Sequence, residues 1–302
     1  AVVEHLDILS SARPINDLIT DPETSPLLKE RLTKARELLG FAHEELSLPN
    51  NGSYNHYLDL NRSAVVWNVY SVPALSMEPR NWCFVFAGCV PYRGYFSIEE
   101  AESFAKFRKL QGDDVFIAGA AAYSTLGWFK DPILNTFIYG SDVGLARLLF
   151  HELAHQVLYV KNNSTFNESF AVTVELEGVR RWLESSGDVM GKKSWDKYLQ
   201  RRSDFLELMN STKNELIDIY NTDLTENEKL AKKTQKLLKL RHNFEKKKLQ
   251  WDGGSEYDFW FETPLSNATF APISTYSSMV ERMQEFLELH DRSLPVFYSK
   301  LI

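Results

Sequence analysis

Cysteine is scarce in this sequence, and long hydrophobic runs are absent. The 302-residue chain has two cysteines, too few for the disulfide framework of a small secreted domain. No apolar run reaches the ~18 residues that a membrane-spanning helix needs. With 44% hydrophobic and 25% charged residues, the composition indicates a globular protein with a sizeable core, in one large domain or two closely packed ones.

Positive charge is also in short supply. Lysine and arginine number 34 against 41 aspartate and glutamate residues, which gives a net charge of −7 at pH 7. Without a basic stripe, binding to a polyanion would bring little electrostatic gain, so the composition argues against nucleic acid as a partner. The short basic clusters Arg201–Arg202 and Lys246–Lys248 are predicted to form solvated faces rather than binding patches.

The two cysteines, Cys83 and Cys89, stand six residues apart in a stretch, 82–90, that is typical of a β-strand. A disulfide, a pair of buried thiols and a minor metal site are all compatible with this spacing. On a strand, positions six apart point to the same face, so a disulfide is as well supported as the two alternatives together.

A helical segment around residue 150 carries the pattern His-Glu-x-x-His. Residues four apart share one face of a helix, so His151 and His155 can direct their ring nitrogens to one metal ion. Apolar residues surround the motif and predict a mostly buried helix, in which these polar side chains need partners. The pattern therefore predicts a zinc site in which Glu152 does not bind the ion but acts as general base on a water molecule.

Zinc in a catalytic site requires a third protein ligand and leaves one position open for water. After the turn-like run 161–164, the apolar residues show helical spacing, which predicts a second helix that returns past the first. Glu168 and Glu175 lie on roughly the same face of this helix, so either could reach the metal. Thr165 and Glu168 also match a capping box, in which the glutamate only binds the backbone at the helix start.

Three stretches resemble those of a known family. The His-Glu-x-x-His motif followed by Asn-Glu-x-x-Ala is similar to the pattern of the gluzincins. Residues 82–89, 151–156 and 166–171 resemble more closely the bacterial putative aminopeptidase family. The resemblance implies a zincin-like fold, an aminopeptidase activity, and Glu168 as the third zinc ligand.

The sequence departs from the broader gluzincin pattern at two points. Only twelve residues separate His155 from Glu168, and no acid stands at position 172 to orient a histidine from behind. At 1.5 Å per helical residue, Glu175 lies ~10 Å beyond Glu168, level with residues before His151 if the two helices run antiparallel. We therefore predict that Glu175 contacts His151 without binding the ion, and Glu177 is the alternative for this role.

Hydrophobic periodicity divides the chain into three parts of an α+β protein. Residues 1–62 are predicted to form an N-terminal helical segment. Residues 63–190 are predicted to form the zincin-like core, a small mixed sheet packed on the metal-binding helices. Residues 191–302 are predicted to form a helical C-terminal subdomain with a long hairpin, whose second helix begins at a capping box formed by Thr225 and Glu228.

Two tyrosines are candidates to stabilise the oxyanion of a tetrahedral intermediate. Tyr123 lies in the stretch 121–129, where zincins place the edge strand that pairs with the substrate backbone, and an ordinary sheet strand is the alternative. Tyr276 lies in a tail that could close over the active site, as late residues do in gluzincins. A phenol near a zinc ion can donate a hydrogen bond to the oxyanion, although most tyrosines only bury a ring.

These observations predict zinc-dependent hydrolysis of a peptide substrate, by an aminopeptidase as the resemblance implies. A zinc endopeptidase or another amidase is the alternative among enzymes. A metal-stabilised, non-catalytic envelope binding protein is the alternative of another class. The intact Glu152 disfavours the last alternative, because structural zinc sites usually fill the fourth position with protein.

The sequence begins at Ala1 without an initiator methionine or a signal peptide, so we expect a processed or truncated form. Members of the family it resembles look like lipid-anchored envelope proteins. The resemblance therefore implies a location on the periplasmic side of a bacterial cell envelope. We expect a precursor with a secretion signal and a lipidated cysteine before Ala1, so that any membrane attachment depends on an anchor outside this chain.

Overall fold

The computed structural model describes residues 8–84, 88–122, 124–273 and 279–302. It confirms an α+β protein in which helices dominate. None of the described helices combines the length and the apolar character that a membrane span requires. The helices are α1 (Ile15–Thr20), α2 (Pro26–Glu44), α3 (Ile98–Leu110), α4 (Asn135–Ile138), α5 (Asp142–Ala154), α6 (Ser164–Ser186), α7 (Val189–Tyr220), α8 (Glu226–Lys248), α9 (Phe259–Glu262), a 3-10 helix (Asn267–Phe270), α10 (Val280–Glu288) and α11 (Leu294–Leu301).

Short strands form three small sheets in the described part of the chain. The strands are β1 (Arg13–Pro14), β2 (His56–Leu58), β3 (Val66–Pro73), β4 (Trp82–Phe84), β5 (Gly88–Val90), β6 (Arg93–Tyr95), β7 (Asp113–Ala120) and β8 (Ile133–Leu134). One sheet has the order β1-β2-β8 and is mixed, because β1 runs antiparallel and β8 parallel to β2. The second, β6-β3-β7, is antiparallel, and β4 pairs with β5.

The two larger sheets pack against different helices. Tyr57 and Leu134 of the mixed sheet belong to the main hydrophobic core, which also contains α2, α5, α6 and the last two helices. The antiparallel sheet packs on α3 through Val69 and Ala105, while its Phe116 contacts the 3-10 helix region. The mixed sheet therefore shares its core with α5, but its strands β1 and β2 lie within residues 1–62, which were predicted to be helical. Strands of two or three residues are too short to leave a periodic pattern in the sequence. The main core draws residues from all three predicted parts of the chain, whose boundaries stay a prediction.

Helices α7 and α8 form the predicted hairpin. The capping box at the start of α8 is confirmed, because Thr225 Oγ1 accepts from the Glu228 N–H at 3.4 Å and Glu228 Oε2 accepts from the Thr225 N–H at 2.8 Å. Helix α7 begins at Val189, two residues before residue 191, where the C-terminal subdomain was predicted to begin. The cause is an N-cap that the sequence prediction missed, since the Asp188 side chain accepts a hydrogen bond from the first turn.

Residues 82–84 and 88–90 form two antiparallel strands and not the single strand that was predicted. Cys83 faces Cys89 across the β4–β5 pair, and the two form a disulfide. On one strand, positions six apart would be separated by ~20 Å, so the bond requires the chain to reverse. Strand β5 docks on the loop before α6, because the Cys89 N–H donates to Asn162 Oδ1 at 2.8 Å and a Cβ on Gly88 would clash with the same loop.

Candidate metal centre

Helix α5 carries the His-Glu-x-x-His motif at its C-terminal end. Ser141 caps its start by accepting a hydrogen bond from the Gly144 N–H at 3.1 Å. The helix ends at Ala154, so that His155 is already its C-cap residue. The two histidines still share one face, with their Nε2 atoms 3.2 Å apart. The motif therefore lies where the chain leaves the buried core.

Helix α6 brings Glu168 to the same point. Its N-cap is Asn163, whose side chain accepts a hydrogen bond from the first turn at 3.1 Å. The alternative in which Thr165 and Glu168 form a capping box is therefore wrong. The Glu168 carboxylate instead lies 3.3 Å from His151 Nε2 and 3.7 Å from His155 Nε2.

Asn167 fixes the connection between the two helices. Its Nδ2 donates to the Val160 carbonyl at 2.9 Å, and its Oδ1 accepts from the Val160 N–H at 2.8 Å. Only 1% of Asn167 is exposed, so these bonds satisfy polar groups that water does not reach. These two hydrogen bonds fix the position at which the chain turns from the end of α5 into α6. The next residue, Glu168, consequently faces the histidines.

The three side chains form an electron-rich cluster that suits a cation. His151 Nδ1 lies 3.1 Å from a Glu175 oxygen, and a ring that donates there keeps a lone pair on Nε2. One ligand atom from each of His151, His155 and Glu168 lies within 4.8 Å of the others. A tetrahedral ion with bonds of ~2.0–2.2 Å separates its ligand atoms by ~3.3–3.6 Å, close to the 3.2 Å between the two Nε2 atoms. One Glu168 oxygen lies 3.3 Å from His151 Nε2, and the other lies 3.7 Å from His155 Nε2. These residues therefore fit a zinc ion in donor type and spacing.

Burial and charge oppose each other in this cluster. Burial lowers the pKa of His151, but Glu168 and Glu175 outweigh burial and raise it to about 10. Burial raises the pKa of Glu168, and the histidines reverse this and hold that pKa far below its usual range. Burial also raises the pKa of Glu175, but Arg147 and His151 outweigh burial and lower this pKa to about 2. Both carboxylates therefore stay ionised and require nearby positive charge, which a proton or a metal ion provides.

Glu175 lies behind His151, at the place that helix geometry predicted. Its other oxygen accepts from Arg147 Nε at 2.6 Å, and the Arg147 guanidinium lies 3.9 Å from the centre of the Tyr198 ring. The alternative, Glu177, instead pairs with surface arginines. Arg147 was not predicted from the sequence, although it lies one turn before His151 on the same helix face.

Glu152 stands beside the cluster without belonging to it. Together with His151 it lines a cavity of about 410 Å³. Burial raises the pKa of Glu152, Glu168 and Glu175 add to this effect, and the two histidines oppose it. A carboxylate with a raised pKa at the wall of a cavity is suited to accept a proton from a molecule bound there.

The two candidate tyrosines, Tyr123 and Tyr276, lie outside the described residues, so their role stays a prediction. Strand β7 ends at Ala120, and the described part of 121–129 is not a strand. The edge strand predicted there is therefore wrong for those residues. The chain bends after Ala120, and Thr136 Oγ1 donates a hydrogen bond to the Ala121 carbonyl.

Other tyrosines approach the cluster. Tyr70, Tyr92 and Tyr159 line a small cavity of about 50 Å³ together with Glu168. Burial, followed by the charge of Glu168, raises the pKa of Tyr92, so its phenol stays protonated and able to donate. Nothing in the local sequence distinguished these tyrosines from ordinary core residues.

The basic pair Arg201–Arg202 is not the solvated face that was predicted. Arg201 forms an ion pair with Glu256, and its Nη1 donates to the Trp251 carbonyl at 3.4 Å. Arg202 lines the same cavity of about 410 Å³ as Glu152. The prediction failed because charge clustering along the sequence does not show which side of a long helix faces a neighbour.

Comparison with known protein families gives one match. The model of the family described as "Putative aminopeptidase" matches residues 1–302. The match spans the whole chain, and it therefore includes every residue of the His-His-Glu cluster. No curated protein and no solved structure matches the chain significantly.

Proposed function

The chain belongs to the family described as "Putative aminopeptidase", and on this premise we propose that it is a zinc-dependent aminopeptidase with a zincin-like site. One observation carries the proposal. Two histidine nitrogens and a Glu168 oxygen converge within 4.8 Å, while Glu152 faces an adjoining cavity. This arrangement supplies three protein ligands and keeps a carboxylate beside them for proton transfer.

In the proposed mechanism, His151, His155 and Glu168 hold the ion. A bound zinc ion lowers the pKa of a water molecule to about 7 and polarises the scissile carbonyl. Glu152 accepts the proton of the attacking water and passes it to the leaving amine. Glu175 accepts from His151 Nδ1 and thereby fixes the tautomer in which Nε2 is available as a ligand.

The oxyanion needs a hydrogen-bond donor, and we propose Tyr92 for this role beside the sequence candidates Tyr123 and Tyr276. Tyr92 shares the small cavity with Glu168, and its raised pKa keeps the phenol protonated. Replacement Tyr92→Phe removes only the hydroxyl. A loss of kcat without a loss of bound zinc would support Tyr92, and an unchanged kcat would leave the role to the other two.

Incubation of the zinc-loaded protein with a mixed peptide library tests the function directly. Mass spectrometry of the products should show removal of single N-terminal residues. Cuts inside the peptides would make the protein an endopeptidase instead. Intact peptides in the presence of stoichiometric zinc would contradict a peptidase and favour a non-catalytic binding protein. The Glu152→Gln protein, purified in parallel, controls for contaminating proteases.

We also propose that the protein acts on the periplasmic side of a bacterial cell envelope, with a lipid anchor on its precursor. The Cys83–Cys89 disulfide supports this location, because disulfides persist in the periplasm and are rare in the reducing cytoplasm. Fractionation of cells that express the full-length precursor should recover it with the membranes. Free cytosolic protein with both thiols reduced would contradict the proposal.

A further inference from the structure

The cavity beside Glu152 is large enough to hold part of a substrate. Its volume of about 410 Å³ lies within the range of ligand pockets in proteins. Its walls combine aromatic rings, among them Phe205 and Trp260, with the phenols of Tyr198 and Tyr257. Because Glu152 lies at the same cavity, a group bound there would be close to the bond that is cleaved.

Two arginines line this cavity, and they differ in their partners. Arg147 is paired with Glu175 at 2.6 Å, so its charge is largely neutralised. Arg202 forms no ion pair with any carboxylate in the described part of the chain, and its positive charge acts on the nearby phenols. Glu207 and Glu281 line a neighbouring cavity with Arg202, yet neither pairs with it. The cavity is consequently lined by one guanidinium without a carboxylate partner among the described residues, Arg202, while the Glu152 carboxylate marks its catalytic side.

We propose that this cavity binds a carboxylate of the substrate, with Arg202 as its charge partner and one hydroxyl of the hydrogen-bonded pair Tyr198–Tyr257 as a further donor. The inference rests on the proposed peptidase function, which places the cleaved bond beside Glu152. A guanidinium binds a carboxylate through two parallel hydrogen bonds, and the aromatic walls suit the methylene groups that carry it. The carboxylate comes either from an acidic side chain next to the cleaved bond or from the free C-terminus of a very short peptide.

Matched peptides distinguish these two sources. The first arm uses peptides amidated at the C-terminus, with glutamate or glutamine on either side of the cleaved bond. The second arm uses neutral dipeptides with a free or an amidated C-terminus. The wild-type protein should prefer the carboxylate in one arm by about 10- to 100-fold in kcat/KM, the range of a charge-assisted hydrogen bond. Equal kcat/KM for carboxylate and amide in both arms would overturn the inference.

Variants at position 202 connect this preference to the cavity. Arg202→Gln should reduce the carboxylate-to-amide ratio to near one, and Arg202→Lys should restore part of it, because lysine keeps the charge without the planar fork. Arg36→Gln, a substitution at an exposed position on α2, is the matched control and should leave the ratio as in the wild type. A preference that survives in Arg202→Gln would assign the carboxylate to another site.

Binding measurements separate a failure of this inference from a failure of the proposed function. If the zinc-loaded protein cuts no peptide, calorimetry on the zinc-loaded Glu152→Gln protein with the same peptides still reports on the cavity. Tighter binding of the carboxylate peptide, lost on adding Arg202→Gln, would support the carboxylate site although the peptidase proposal had failed. Equal binding of the carboxylate and amide peptides would overturn the site itself.

Discussion

Two pairs of helices in this protein use charged side chains in opposite ways. In the α5–α6 pair the charges point inward, and only 7% of the Glu175 side chain is exposed. In the α7–α8 hairpin a typical pair, Lys236 with Glu215, is exposed by 33% and 38%. Buried charges offset the cost of losing water only when they bind each other or a cation, whereas exposed pairs lose little water and contribute little. The first pair of helices is therefore suited to a metal centre and the second to a scaffold.

The hairpin is nevertheless not uniform. Lys247 and Lys248, predicted to lie on a solvated face, pair with Asp204 and Asp258. Asp204 is buried and also accepts from the Trp251 indole at 3.0 Å, which ties the hairpin to the segment that follows it. Arg202, on the same helix, reaches the cavity of the candidate centre. The contrast between the two helix pairs therefore holds for the exposed face of α7. It does not hold for the faces that carry the buried Asp204 and the cavity-lining Arg202.

The largest expected effect is that of removing the third ligand. Glu168→Ala should strip zinc at micromolar metal and abolish activity, because two histidines alone do not complete a zinc site. Zinc content per purified protein, measured after dialysis, checks this. Retention of zinc by Glu168→Ala together with its loss from Glu175→Ala would reverse the ligand assignment.

The second effect concerns proton transfer alone. Glu152→Gln should keep a full complement of zinc and lower kcat by about 10²- to 10⁴-fold, the range for removal of a general base. Initial rates and zinc content on the same preparation give both quantities. Near-wild-type turnover by the zinc-loaded variant would show that another group takes the proton.

A smaller effect is expected behind His151. Glu175→Ala should keep zinc but weaken its affinity by about 10- to 100-fold, because the imidazole loses the acceptor that orients it. Competition with a chelator of known affinity measures the change. Glu175→Gln, which preserves the shape of the side chain and an acceptor oxygen, is the matched control and should lose less zinc affinity than Glu175→Ala. An unchanged zinc affinity in Glu175→Ala would remove Glu175 from the centre.

The smallest effect is expected in the hairpin. Glu215→Gln removes an exposed ion pair and should lower the free energy of unfolding by less than ~0.5 kcal/mol, with zinc affinity unchanged. Asp204→Asn, at a buried carboxylate with charged and neutral donors, should cost ~1–3 kcal/mol. Urea denaturation of both variants measures the difference. Equal costs would mean that burial does not separate the two kinds of charge in this protein.

Local patterns predicted much of the fold and of the candidate site. The spacing of His151 and His155 indicated their shared face, and the helix length between Glu168 and Glu175 indicated which one lies behind His151. The capping box at the start of α8 was also predicted correctly from the sequence. Tyr92 was not found, because a tyrosine after a strand is common in protein cores, and Arg147 was missed although it lies one helical turn before His151.

The sequence by itself therefore determined which side chains share a helix face, through their spacing of three to four residues, and which residues begin or end a helix. Such signals depend on neighbours within about a turn, and hydrogen bonds within one segment enforce them. The tertiary structure alone decided that strands β4 and β5 pair antiparallel and join two cysteines, that Asn167 anchors the connection before Glu168, and that Arg202 lines a cavity. These outcomes depend on packing between segments distant in the chain, where the burial of one side chain is set by the shape of another.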